Sequence, residues 1–170
     1  DPVITALGRK IRRLLKRSEG FKISPTAELF LFNAARAQLV DEVIKPALKK
    51  DTVVICDRYA DSTTAYQGYG RGLDLNIVEA ANRIGMQGMM PGLTILLDTP
   101  VEEGLARKKY EHTDRFQKEN LSFHRRVREG YLKLAAAEPK RWLGIDALKS
   151  KDQIADIIWQ RVSVLLPRKK

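Results

Sequence analysis

Three short apolar runs, each ending in aspartate, constrain the fold of this chain more than any other feature. They cover residues 53–57, 93–98 and 142–146. Their apolarity is continuous rather than alternating, which is typical of strands that are buried on both faces of a parallel sheet. Because open parallel sheets bind ligands beyond the carboxyl ends of their strands, the polar residues that follow a run are the first candidates for a site.

Segments with helical periodicity lie between these runs, and several carry clear start signals. Ser24-Pro25 offers a cap and a first-turn proline, Thr99-Pro100 does the same, and Ser150 to Gln153 forms a capping-box pattern. The alternation predicts an α/β fold in a single domain over residues 1–170, without internal repeats. Helices are predicted near residues 4–17, 25–49, 74–86, 100–109, 118–136 and 151–166.

Composition narrows the class of protein further. Lysine and arginine outnumber aspartate and glutamate by 31 to 21, which suits a polyanionic ligand such as a nucleotide or a nucleic-acid backbone. The only cysteine, Cys56, lies inside the first apolar run, so we expect a buried thiol, no disulfide framework and a reducing compartment. No run approaches the roughly 20 apolar residues of a membrane span, and no signal peptide is evident. These features predict a cytoplasmic protein that does not contact a membrane.

The first run leads into a polar and glycine-rich segment over residues 57–71, which begins with an acid and a base, Asp57 and Arg58. The planar guanidinium of Arg58 can hold a phosphate through two parallel hydrogen bonds. Asp57 has two interpretations. It can orient a magnesium-bound water or the transferring group, or it can serve as an ion-pair partner of Arg58.

Phe32 and Arg36 are four residues apart, so they share one face of a helix and can address one flat ligand together. The ring can stack on a nucleobase while the guanidinium donates to a carbonyl at the edge of the base. The alternative is that Phe32 belongs to the core with Phe30, Leu39 and Val43.

Residues 57–71 resemble the Asp-Arg-Tyr, Ser and Ala-Tyr-Gln-Gly signature of bacterial thymidylate kinases. Residues 28–36 resemble the nucleobase-binding helix of that family. Residues 97–100, 114–116 and 128–132 resemble its fourth strand, its lid and the helix that follows. The resemblance implies a three-layer parallel sheet of the P-loop nucleoside monophosphate kinase type in a homodimer. It also implies transfer of a phosphoryl group from magnesium-ATP to dTMP for dTTP synthesis.

The resemblance implies a role for each matched residue. Phe32 and Arg36 would hold thymine, and Arg58 would bind the 5′-phosphate of dTMP. Three further positions of residues 57–71 match substrate contacts. Thr63 and Gln67 match contacts to the thymine edge, and Tyr66 matches a tyrosine that crowds the 2′ position of the sugar.

A lid over the phosphoryl donor is expected at about residues 107–117. The resemblance assigns donor contacts to Arg107, Lys109 and Arg115, with Arg107 closest to the transferring group, where a cation stabilises developing charge. Lysines exposed to solvent are the alternative. The segment departs from the family pattern, because it is shorter and carries Gln117 in place of a glutamate.

One block of the family pattern is absent from these 170 residues. No Gly-x-x-x-x-Gly-Lys-Ser/Thr occurs, and residues 1–50 contain no predicted strand. Because residues 1–15 resemble the segment after the family's Arg-Glu-Pro motif, about forty residues with two strands and the donor-phosphate loop are expected to precede them. The 170 residues alone are then expected to be inactive. Two rival interpretations are a noncatalytic nucleotide-binding relative and a basic nucleic-acid-binding module.

Overall fold

The computed structural model describes residues 4–16, 21–106, 115–116 and 118–166. Most of the described residues are helical, and two π-helical segments continue directly from α-helices. Two strands pair into a sheet. In chain order the elements are α1 (Ala6–Lys16), α2 (Pro25–Leu39), π1 (Val40–Ile44), α3 (Lys45–Leu48), α4 (Ala60–Thr63), π2 (Thr64–Gly70), α5 (Leu75–Met86), β1 (Thr94–Asp98), α6 (Val101–Ala106), α7 (Leu121–Ala137), β2 (Trp142–Asp146) and α8 (Lys151–Ser163).

The two strands run parallel, from the pair Thr94 and Trp142 to the pair Asp98 and Asp146. Two of the three apolar runs therefore form strands where the sequence predicts them. Parallel strands need a crossover connection, and here the chain between them supplies α6 and α7. Helix α7 contacts both strands. The two terminal aspartates lie side by side at the carboxyl edge of the sheet.

The remaining predicted strand, over the first apolar run at residues 53–57, is not formed. Residues 52–56 adopt neither helix nor strand, Val53 is 57% exposed and Ile55 is 92% exposed. A strand requires a hydrogen-bonded neighbour, and within the described residues only β1 and β2 form a ladder. The expectation that Cys56 is buried is also wrong, because its thiol is exposed.

Burial of the strands on both faces is likewise not found, since Leu97 of β1 is 51% exposed and lies in a cleft. The described residues form an α/β fold with a two-stranded parallel sheet. The larger parallel sheet of a three-layer fold stays a prediction. In the part of the chain that the structure covers, no helix has the length and apolarity needed to cross a membrane.

Two of the three predicted helix caps are formed, at Ser24 and Ser150. The predicted cap at Thr99 is wrong, because its hydroxyl has no hydrogen-bond partner among the described residues. The Ser24 hydroxyl accepts from the backbone N–H of Ala27 at 3.2 Å ahead of α2, and Ser150 and Gln153 form a complete capping box ahead of α8. The predicted helix over 25–49 is continuous as α2, π1 and α3. A proline, Pro46, lacks the N–H that would bond to residue 42, and π1 accommodates this interruption by widening the preceding turn.

The polar segment after Arg58 is helical rather than a loop, and it is clamped against α7. A β-carbon placed on Gly130 of α7 would lie 2.6 Å from the Tyr69 ring, and one on Gly70 would lie 2.7 Å from the Phe123 ring. Only glycine permits such a close approach of the two backbones. The packing fixes π2 on α7, which determines where its polar side chains lie.

Candidate active site

A cleft of about 690 Å³ opens beside the carboxyl end of β1, between α1, α2, π2 and α7. The position agrees with the rule that parallel sheets bind ligands beyond the ends of their strands. Every substrate-side residue singled out from the sequence lines this one cleft. They are Phe32, Arg36, Asp57, Arg58, Thr63, Tyr66 and Gln67.

The guanidinium of Arg36 is held rigidly in the floor of the cleft, with the residue only 6% exposed. It donates to Oδ1 of Asn33 at 2.7 Å, Oδ1 of Asn82 at 3.1 Å, the carbonyl of Tyr59 at 3.3 Å and the hydroxyl of Thr63 at 2.5 Å. Burial lowers the pKa of Arg36 to about 10, so the group stays cationic at neutral pH. Nε is the remaining donor without a partner among the described residues.

A second buried hydrogen-bond network is centred on Glu28, which precedes Phe32 on α2 whereas Arg36 follows it. The carboxylate of Glu28, which is 1% exposed, accepts from Nε2 of Gln67 at 2.6 Å, from Arg71 at 3.3 and 3.4 Å, and from Arg115. Arg71 also pairs with Glu119 at 2.6 Å. These contacts join α2, π2 and the segment around residue 115 through one carboxylate.

Aromatic rings form one wall of the cleft. The Tyr66 ring lies 5.9 Å from Phe116, 6.1 Å from Phe123 and 6.4 Å from Tyr131, all in edge-to-face arrangements. The half-buried Phe32 ring lies 6.0 Å from Phe116. The core alternative for Phe32 is true in part, because its ring packs against the buried cluster of Ile11, Leu15 and Ala35 and also lines the cleft. The predicted partners are wrong, since Leu39 and Val43 belong to another cluster and Phe30 is exposed.

Asp57 and Arg58 lie at the junction between the irregular segment and α4. Arg58 has a φ of 69°, a left-handed conformation that costs roughly 1–3 kcal/mol in a residue with a β-carbon. Its guanidinium lies 5.1 Å from the centre of the Tyr66 ring, which favours a cation over the ring face. Arg58 therefore places a cation in the lining of the cleft, against its aromatic wall.

No group of three or more acidic, histidine or cysteine side chains that could hold a metal occurs within the described residues. Asp57 lines the cleft, and its role beside a magnesium ion stays a prediction. Mg²⁺ at such sites takes one or two protein carboxylates and completes its octahedron with phosphate oxygens and water.

Two further contacts close the cleft on the α7 side. Arg128 donates to both carboxylate oxygens of Asp98, at 2.7 and 2.8 Å, and these hydrogen bonds hold the pKa of Asp98 below its usual value. The Tyr131 hydroxyl donates to Ser62 at 2.7 Å, and burial raises the pKa of Tyr131 to about 12. That phenol therefore keeps its proton at neutral pH.

The expected lid lies mostly outside the described residues, including Arg107, Lys109 and Gln117. Arg115 is described, and its guanidinium pairs with Glu28 while the neighbouring Phe116 lines the cleft. The donor-side roles of all three bases stay predictions.

Sequence reasoning missed four residues that organise the site: Glu28, Asn33, Asn82 and Arg128. The helical spacing that singled out Phe32 and Arg36 could also have identified Glu28, because it lies four residues before Phe32 and eight before Arg36. Asn82 gave no local signal, since its contact with Arg36 joins positions 46 residues apart.

A parallel α/β fold with a cationic cleft at its strand ends defines a nucleotide- or phosphate-binding class of protein. The thymidylate kinase family profile matches residues 1–158. A thymidylate kinase of Dehalococcoides mccartyi is 54% identical over 98% of this chain and 80% of its own length. One of a Synechococcus species is 49% identical over 98% of this chain and 79% of its own, and one of a Nostoc species is 44% identical over 98% and 80%. The chain therefore belongs to the thymidylate kinase family, in its bacterial form.

Proposed function

We propose that this protein transfers the γ-phosphoryl group of ATP to dTMP, giving dTDP and ADP. The observation that carries the proposal is the single cleft that joins Phe32 and Arg36, suited to a base, with Arg58, suited to a phosphate. Membership in the thymidylate kinase family supports it.

The base end of the cleft has the chemistry of a pyrimidine site. Phe32 supplies a ring face for stacking, and Arg36 supplies positive charge for the carbonyl oxygen at position 4 of thymine. Thr63 and Gln67 line the same end and contribute the polar edge. Tyr66 would stand against the 2′ carbon of the sugar, where a ring excludes a hydroxyl.

The phosphate end would carry the chemistry. Arg58 would hold the 5′-phosphate of dTMP so that one of its oxygens attacks the γ-phosphorus in line with the departing ADP. Asp57 would hold Mg²⁺, which supplies charge neutralisation to the donor phosphates. Arg107, Lys109 and Arg115 would add positive charge on the donor side, where each cation lowers the barrier by opposing the charge that develops.

The test separates acceptor binding from transfer. Calorimetry with dTMP, dUMP and dCMP measures binding to the 170 residues, and mass spectrometry measures dTDP formation from ATP and dTMP. Because the sequence contains no Gly-x-x-x-x-Gly-Lys-Ser/Thr, transfer is assayed both with the 170 residues and with a chain extended at its amino terminus by such a loop. We expect dTMP binding in both and transfer in the extended chain alone.

Each alternative outcome has a clear meaning. Binding of dTMP without transfer in either chain would favour a noncatalytic nucleotide-binding relative. Absence of dTMP binding in a folded protein would overturn the proposal. Transfer by the 170 residues themselves would place the donor site on residues other than a phosphate-binding loop.

We also propose a homodimer formed through the long helix that α2, π1 and α3 make together. Phe30 and Leu48 are exposed on this helix, which leaves apolar area available for a second copy. Sedimentation equilibrium checks this, with Phe30→Glu expected to favour the monomer. A monomeric wild-type protein would contradict it.

A further inference from the structure

The amide group of Gln67 has a fixed orientation, and Glu28 fixes it. Nε2 of Gln67 donates to Oε1 of Glu28 at 2.6 Å, and both residues are 1% exposed. An ionised carboxylate can only accept hydrogen bonds, so the opposite orientation of the amide would set two acceptors against each other. The same carboxylate forms ion pairs with Arg71 and Arg115.

The consequence concerns the other end of the same amide. Oε1 of the Gln67 side chain accepts no hydrogen bond from the described residues, and Gln67 lines the cleft. With its NH₂ group committed to Glu28, Gln67 can offer the cleft only an acceptor. Arg36, across the same base site, offers only donors.

We propose that Glu28 is a specificity-determining positioning residue, which sets the polarity of the Gln67 amide so that the site accepts pyrimidines carrying N3–H and rejects those with an N3 lone pair. Thymine and uracil present an acceptor at O4 and a donor at N3, which match Arg36 and Gln67. Cytosine presents a donor at N4 and an acceptor at N3, the reverse pattern. A buried mismatch of this kind leaves polar groups unpaired, which is the strongest way for a binding site to discriminate. The inference rests on the proposed function, since it takes the base site to be the one described above.

The decisive variant is Glu28→Gln. Arg71 and Arg115 would take the single carbonyl oxygen of the new amide, so its NH₂ group would face Gln67 and turn that side chain to present its own NH₂ to the cleft. We expect the ratio of dTMP to dCMP affinities to fall at least about tenfold, measured by calorimetry on folded protein. The ratio of dTMP to dUMP affinities should not change, because both bases carry N3–H. Some discrimination against dCMP should persist, since Arg36 still faces position 4.

Two further variants make the test independent of a loss of stability. Glu119→Gln removes the other carboxylate partner of Arg71 without touching Gln67, so it should leave both ratios at their wild-type values. The double variant Glu28→Gln with Gln67→Glu restores one amide and one carboxylate in exchanged positions. Residue 67 would then be an acceptor only, and the discrimination against dCMP should return.

The outcomes separate this inference from the proposed function. If the wild-type protein does not bind dTMP, the proposed function fails and this inference fails with it. If the wild-type protein prefers dTMP over dCMP but Glu28→Gln weakens all three nucleotides equally, or the exchanged pair does not restore the preference, Glu28 is structural only and the inference alone is overturned.

Discussion

The hydroxyl of Thr63 accepts a hydrogen bond of 2.5 Å from Nη2 of Arg36, so two residues that the family resemblance assigns separately to the thymine edge are bonded to each other. Both side chains are buried. The proposed base site is therefore a pre-organised network rather than a set of independent contacts, and a substitution at one residue should also affect the other.

Arg36→Ala should weaken dTMP binding by about 1.5 to 3 kcal/mol, the scale of a hydrogen bond from a charged donor. It should also lower the free energy of unfolding, because Asn33, Asn82 and Thr63 lose their buried partner. Calorimetry and urea denaturation measure the two effects. The matched control is Arg125→Ala, which removes an arginine from an exposed pair with Glu102 and should leave dTMP binding intact. An unchanged dissociation constant for Arg36→Ala would remove it from the base site.

Arg58→Lys should lower the affinity for dTMP but not for thymidine, because an ammonium ion cannot reproduce the two parallel hydrogen bonds of a guanidinium on phosphate. The expected loss is about 1.5 kcal/mol, one charged hydrogen bond. Titration of the variant with both ligands gives the contribution of the phosphate directly. Equal losses for dTMP and thymidine would show that Arg58 supports the fold of the cleft rather than the phosphate.

Gly130→Ala should destabilise the protein by about 1 to 3 kcal/mol, since the new methyl group would overlap the Tyr69 ring and force α7 away from π2. Gly144→Ala is the control, because a β-carbon there meets no atom within 4 Å. Thermal unfolding compares the two variants. Because π2 carries Tyr66 and Gln67, the Gly130 variant should also bind dTMP more weakly. Equal melting temperatures would mean that the two backbones separate without cost.

The pair between Asp98 and Arg128 predicts a pH-dependent contribution to stability. The folded protein holds the pKa of Asp98 below 3.8, so the stabilisation is fully present above that value and is lost as the pH falls through the lower, folded-state pKa. Asp98→Asn should lower the free energy of unfolding by about 1 kcal/mol at neutral pH, since the pair is partly exposed. The difference from wild type should shrink as the pH falls below about 4.

Urea denaturation across this pH range checks the prediction. Arg128→Gln should remove the same increment, and the two substitutions should not add in the double variant, because they break one interaction. A difference between wild type and Asp98→Asn that is independent of pH would assign the effect to packing instead of charge.

Local sequence signals predicted much of the fold. Caps and first-turn prolines predicted the starts of α2 and α8, and the apolar runs predicted β1 and β2, because these features act within a few residues of the chain. The run over residues 53–57 carried an equally strong signal and forms no strand. Its fate depends on a neighbouring strand, and no local pattern states whether one is present.

The same division holds for the candidate site. The sequence by itself determined the family and the substrate-side residues of the cleft, because the motif over residues 57–71 and the helical spacing of Phe32 and Arg36 are local. Only the tertiary structure decided how those residues are held. Asn82 reaches Arg36 across 46 residues, and Glu28 reaches Gln67 across 39. A buried polar group must find a partner, but which partner lies within hydrogen-bonding distance is set by how the helices pack, and helix packing is a property of the whole chain.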